Sequence, residues 1–159
     1  DMICEKILGK LNQMDCSGKT VEYVDIEWHE AFSRIHRKTT DCQTEVGIRL
    51  DDTVLTRGLV QDDVIYQDET RMIAVRTPPC EIIQITFEKG REHMGAKVCY
   101  EIGNRHAPLF WGPNHSFVTI YNEPMYQMLK KIHGAIPHRT MGQLDFDRRI
   151  SASVHNHHH

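Results

Sequence analysis

The chain has 159 residues, 40% of them hydrophobic, and a formal charge of −3 from 19 Lys and Arg against 22 Asp and Glu. That length fits one compact domain or two small ones, and the modest apolar fraction implies modest cores. Acids and bases are interspersed, which argues against the basic footprint of a nucleic-acid binder.

The first half reads as short strands over residues 3–8, 20–28, 44–50, 64–66 and 72–77, rich in β-branched and aromatic residues and bounded by Gly, Asp and Asn turns. Glu45-Val46-Gly47-Ile48-Arg49-Leu50 alternates polar and apolar, as a half-buried strand does. Residues 29–36 read as a helical turn with Phe32 and Ile35 on one side, and Arg37-Lys38-Thr39-Thr40 beyond it as strand. Thr77-Pro78-Pro79 interrupts any regular element and marks a domain boundary.

The second half alternates. Residues 82–87 form a strand, and residues 91–102 a helix with Met94, Val98 and Ile102 at i, i+4 and i+8. Cys99 fills that apolar stripe, while His93, Lys97 and Glu101 mark the wet face. Gly103 is placed to end the helix in the left-handed conformation. Short strands follow at 109–111 and 117–121, with Gly112-Pro113-Asn114 turning between them. Asn122 or Glu123 caps the next helix, Pro124 sits in its first turn, Met125, Met128, Leu129 and Ile132 form its core stripe, and Gly134 stops it. A last strand at 136–141 completes βαββαβ, the ferredoxin-like order. From about Gln143 the chain is polar and then His-rich, and is expected to be a flexible tail. The expected organisation is α+β: a β-rich N-terminal domain at 1–76, a ferredoxin-like domain at 77–142 and the His-containing tail at 143–159.

Five cysteines, an odd number without a Cys-x-x-Cys pair, suit neither a disulfide framework nor a structural zinc site. They read as reduced thiols buried in the interior. With no apolar span of ~20 residues and no charged-then-apolar leader, the expectation is a soluble, cytoplasmic protein with no membrane partner. Esterase, zinc-protease, phosphate-loop and dinucleotide motifs are absent, and the expectation is that the protein is not an enzyme.

Histidine carries the chemistry that remains. The segment Tyr100-Glu101-Ile102-Gly103-Asn104-Arg105-His106-Ala107-Pro108 leaves one imidazole beyond a helix C-terminus. Such a residue serves as a cap or packing group in some proteins, and as a ligand in others. Orphan carbonyls at the helix end favour a nearby cation, and Gly103 and Pro108 constrain the backbone around the ring. One imidazole per chain makes a poor site, but a twofold dimer with His106 on its axis supplies two. The tail histidines His155, His157, His158 and His159 are candidates to add more, and His115 is held in reserve as a nearby loop residue. The tail reads either as native or as a tag; the interrupting Asn156 favours the first. Imidazole suits Ni2+, Cu2+ and Zn2+, and binding through neutral rings weakens as the pH falls through ~6.5.

The chain resembles the UreE family of urease accessory proteins. The likeness runs through Glu27-Trp28, Arg37-Lys38-Thr39-Thr40, residues 44–50, Asp63-Val64-Ile65-Tyr66 and, above all, residues 99–106 with Pro108. The resemblance implies a nickel metallochaperone with a peptide-binding-like N-terminal domain and a ferredoxin-like domain that dimerises. It implies Ni2+ held by His106 of each subunit at the dimer interface, with tail histidines as added ligands. Delivery to apo-urease is implied through a UreG-type GTPase. Family members that carry a His-x-His pair near the second helix differ from this chain, which reads Tyr121-Asn122-Glu123 there. Two alternatives remain open: a Cu2+ or Zn2+ buffer with no delivery partner, and an interaction adaptor whose metal binding is incidental.

Overall fold

The computed structural model describes residues 2–151. The chain divides after Pro78 into two compact units. The first holds strands β1 (Met2–Cys4), β2 (Gly9–Lys10), β3 (Thr20–Asp25), β4 (Ile35–Thr39), β5 (Glu45–Arg49), β6 (Asp63–Gln67) and β7 (Arg71–Arg76), with a short helix α1 (Val54–Arg57) between β5 and β6. They make two sheets, one of order β1-β5-β4 and one of order β2-β6-β7-β3. In β7 the consecutive residues Met72, Ile73, Ala74 and Val75 are all buried, so the strand is a continuous apolar run covered on both faces. In β5, Val46 and Ile48 point inward between exposed Glu45 and Arg49, as the alternation requires.

Buried charge in this unit is fully partnered. Asp63 is inaccessible, accepts from Arg57 at 2.7 and 2.8 Å and from the Val60 amide at 2.9 Å, and lies 3.1 Å from Lys10 Nζ. Its neighbours therefore replace the hydration lost on burial.

Three local expectations change in this unit. Residues 3–8 are not one strand: β1 runs parallel to β5 in one sheet, while Leu8 already donates to the Val64 carbonyl in the other. The chain switches sheets within a few residues, which hydrophobic pattern does not encode. The strand expected to reach Trp28 stops at Asp25, and the helical segment shrinks to a 3-10 turn, Trp28–Glu30, closed by a reciprocal Glu27/Glu30 capping box. Phe32 is buried, but Ile35 opens β4 and is 72% exposed. The cysteines also differ from expectation, since only Cys4 is buried while Cys16 and Cys42 are exposed.

The second unit runs β8 (Cys80–Phe87), α2 (Gly95–Asn104), β9 (Leu109–Trp111), β10 (Phe117–Ile120), α3 (Glu123–Lys130) and β11 (Ala135–Gly142). Its sheet has order β11-β8-β10-β9 with every neighbour antiparallel, the ferredoxin-like arrangement. Ile83, Ile85 and Leu109 from the sheet meet Val98 and Ile102 of α2, and Met125 and Leu129 of α3, in one core. Met125 and Met128 pack there. Asn122 caps α3 by accepting from the Met125 amide at 2.8 Å. The helix ends at Lys130, and Gly134, at φ 88°, serves the turn into β11 rather than the helix terminus.

Residues 143–151 correct the expectation of a tail beginning at Gln143. Phe146 is 4% exposed, and a 3-10 turn covers Phe146–Arg148. Arg149 bridges to Phe110, and Ile150 donates to the Leu109 carbonyl at 2.7 Å. Buried Phe146 and half-buried Leu144, with the backbone amide of Ile150 bonded to Leu109, hold this segment on β9 and the sheet face away from the helices. Among the described residues, no helix is long and apolar enough to cross a membrane.

Candidate metal centre

A 3-10 turn, Glu92–Met94, leads into α2. The helix lies against the sheet through buried Gly95, Val98 and Ile102. Cys99 packs half-buried against the same core, and burial pushes its thiol pKa up. That position leaves it a packing residue.

The C-terminus of α2 sets the candidate site. Gly103 stays helical, and the residue in the left-handed region is His106 itself, at φ 58°. The His106 amide donates to the Gly103 carbonyl at 3.0 Å, and the Ala107 amide donates to the Ile102 carbonyl at 3.3 Å. These bonds form a Schellman motif with His106 at the position glycine usually takes. A left-handed L-residue there costs about 1–2 kcal/mol. Pro108, two residues past that position, is the sequence signal for such an ending, and it was legible in the chain. A side chain retained where glycine is favoured is the kind of local strain that collects at binding sites.

Both flanks of His106 are anchored. Arg105 donates to the Glu101 carboxylate at 2.7 Å and to the Glu101 carbonyl at 3.0 Å, closing the last turn. Beyond it, the Pro108 carbonyl accepts from Thr119 Oγ1 at 2.6 Å, and Thr119 is wholly buried in β10. The ring is thus exposed on a held backbone, at the carbonyl end of a ten-residue helix whose dipole favours positive charge. Beside it, Gly103 and Asn104 are exposed, and Tyr100 on the preceding turn is 67% exposed.

The other histidines are dispersed. His115 is exposed at φ 63° in the 3-10 turn Pro113–His115, the tip of the β9–β10 hairpin. It leaves β9 at the Trp111 end, whereas His106 enters at the Leu109 end, so β9 separates the two within one chain. His93 is exposed, as expected. His36 does have a partner: it is buried, with Nε2 2.8 Å from the Ser33 carbonyl, and burial holds its pKa down. His155, His157, His158 and His159 lie outside the described residues. Among the described residues, no three His, Cys, Asp or Glu side chains gather as a metal-binding group.

The comparisons with known proteins agree with one another. The model of the UreE urease accessory protein N-terminal domain matches residues 4–77. The chain is 36% identical over 154 residues to the urease accessory protein UreE of Helicobacter pylori (strain Shi470), covering 96% of this chain and 88% of that one. It is 35% identical over 158 residues to the UreE of Helicobacter acinonychis, covering 98% and 90%. To the UreE of Acetivibrio thermocellus it is 39% identical over 130 residues, covering 82% and 81%. With likeness of this depth across both units, the chain belongs to the UreE family of urease accessory proteins.

Proposed function

We propose that this chain is a nickel metallochaperone for urease maturation: a non-catalytic, cytoplasmic homodimer that carries Ni2+ between paired His106 rings. From there the ion passes through a UreG-type GTPase to apo-urease. The observation that carries this reading is His106, exposed and left-handed at the end of α2, where glycine would relieve the strain. The relatives are urease accessory proteins, which supplies the destination.

One imidazole cannot hold Ni2+ tightly, and a second chain related by a twofold axis supplies a second ring from the same position. Exposed Tyr100 and, one turn on, exposed Gly103 of α2 offer apolar and low-profile surface beside the ring for that contact. Histidines at 155, 157, 158 and 159 complete the ligand set. A dimeric site of few nitrogen ligands holds nickel and releases it, as transfer demands.

Titration calorimetry with Ni2+ tests this on the parent, on His106→Ala and on the chain truncated after Ser153. About one tight Ni2+ per dimer is expected, lost in His106→Ala. If His106→Ala binds like the parent while truncation abolishes binding, the interfacial site is wrong. Nickel transfer to the GTPase faster than free dissociation separates a chaperone from a Cu2+ or Zn2+ buffer.

A further inference from the structure

We infer that Glu101 is a positioning residue for the nickel site: its carboxylate holds Arg105 in place and cancels its charge, so that Ni2+ meets a neutral helix end. The inference rests on the nickel-site reading above and adds to it what sets the charge around the ion.

The carbonyl end of α2 already has a cation, and it belongs to Arg105. The Arg105 amide turns back to the Ile102 carbonyl at 3.2 Å. That leaves the Glu101 carbonyl to the Arg105 side chain. Arg105 Nη1 donates to this carbonyl at 3.0 Å and to the Glu101 carboxylate at 2.7 Å. One nitrogen thus joins the helix backbone to an acid of the same turn, which fixes the guanidinium at the helix end. Without the acid, a guanidinium fixed there would compete with a metal ion for the favourable end of the dipole. In residues 100–108, Glu101 is the only acid and Arg105 the only strong base, so the pair leaves this turn neutral. Lys97, the next base back along the helix, is eight residues or about 12 Å from Arg105.

As a stabilising contact, an exposed pair at this spacing counts for little. Its place in the chain gives it another effect. Arg105 directly precedes the proposed ligand, and a twofold site brings two copies of it to one ion. Repulsion between a divalent and a single positive charge across about 10 Å of water weakens binding about fourfold, and two such charges about sixteenfold. The Glu101 side chain is 27% exposed and that of Arg105 44%, so dissolved salt reaches the pair and can screen it.

The test is titration of the 159-residue chain with Ni2+ alone. It is run at about 10 mM and about 1 M NaCl, between which the screening length falls from about 30 Å to about 3 Å. Glu101→Gln and Arg105→Gln break the same bonds, so a purely structural role predicts the same effect on affinity. The charge role predicts opposite effects. At low salt, Glu101→Gln should raise the Kd about sixteenfold, and Arg105→Gln should lower it. The double variant should return to within about twofold of the parent. At high salt all four proteins should bind alike. Unchanged affinity in Glu101→Gln, weakening that persists at high salt, or failure of Arg105→Gln to tighten binding would each overturn the proposal. The underlying nickel site fails separately, if His106→Ala binds Ni2+ as the parent does.

Discussion

The amide of His106 donates to the carbonyl of Gly103 at 3.0 Å, and the histidine, not the glycine, takes the left-handed turn that ends α2. The placement sets a backbone preference against a side-chain requirement. Glycine at position 106 would satisfy the backbone; histidine adds the imidazole on which the proposed nickel site depends.

This opposition can be measured. His106→Gly and His106→Ala should both lose tight Ni2+ binding, but the glycine variant should be about 1 kcal/mol the more stable by denaturant unfolding. Alanine keeps the Cβ that makes the left-handed conformation costly. Equal stabilities would mean that the backbone at position 106 carries no strain.

Stability of the first unit should fall below pH ~6.5 through His36. Burial holds its folded pKa below the ordinary value, with Nε2 against the Ser33 carbonyl. The unfolded chain therefore takes up this proton first, so stability is full above pH ~6.5 and declines as the pH falls towards the folded value. His36→Gln should flatten this slope between pH 7.5 and 5 in chemical denaturation. An unchanged slope would place the acid sensitivity elsewhere.

Thr119→Val tests the anchor beyond the site. Its hydroxyl donates to the Pro108 carbonyl at 2.6 Å from a wholly buried position. Valine keeps the shape and deprives the carbonyl of that donor, at about 1–3 kcal/mol. Ni2+ affinity should fall as well, because Pro108 holds the backbone next to His106. Full stability in the variant would show that this bond does not fasten the loop.

At the other end of α2, a Cβ on Gly95 would stand 2.9 Å from Phe117 Cε2. That ring is packed edge-on to Phe87 and tilted against Trp111, so it cannot yield without disturbing both. Gly95→Ala improves helix propensity by about 1 kcal/mol, yet overpacking costs about 1–3 kcal/mol. The expected result is net destabilisation with altered Trp111 fluorescence. A stabilised variant would show that Phe117 repacks at little cost.

Much of the local grammar of the second unit was legible, although α2 runs past Gly103 and α3 stops before Gly134. Val98 and Ile102 face the core at their helical spacing, Asn122 and Pro124 open α3, and the six elements follow in the expected order. Residues 99–106 with Pro108 carried the family likeness, and the depth of identity to UreE proteins bears it out. In the first unit, β5 follows its alternation, but residues 3–8 divide between two sheets because their partners, Gly47 and Val64, lie far along the chain.

Sequence by itself determined the order of helices and strands in the second unit, where α3 starts and which side chains of α2 and α3 face the core. Each depends on side-chain period or on capping chemistry within a few residues. Only the tertiary structure decided that β9 stands between His106 and His115, and that residues 143–151 return to Leu109. Those outcomes depend on hydrogen bonds and burial between residues distant in sequence, such as Pro108 with Thr119 and Leu109 with Ile150, for which no local pattern exists.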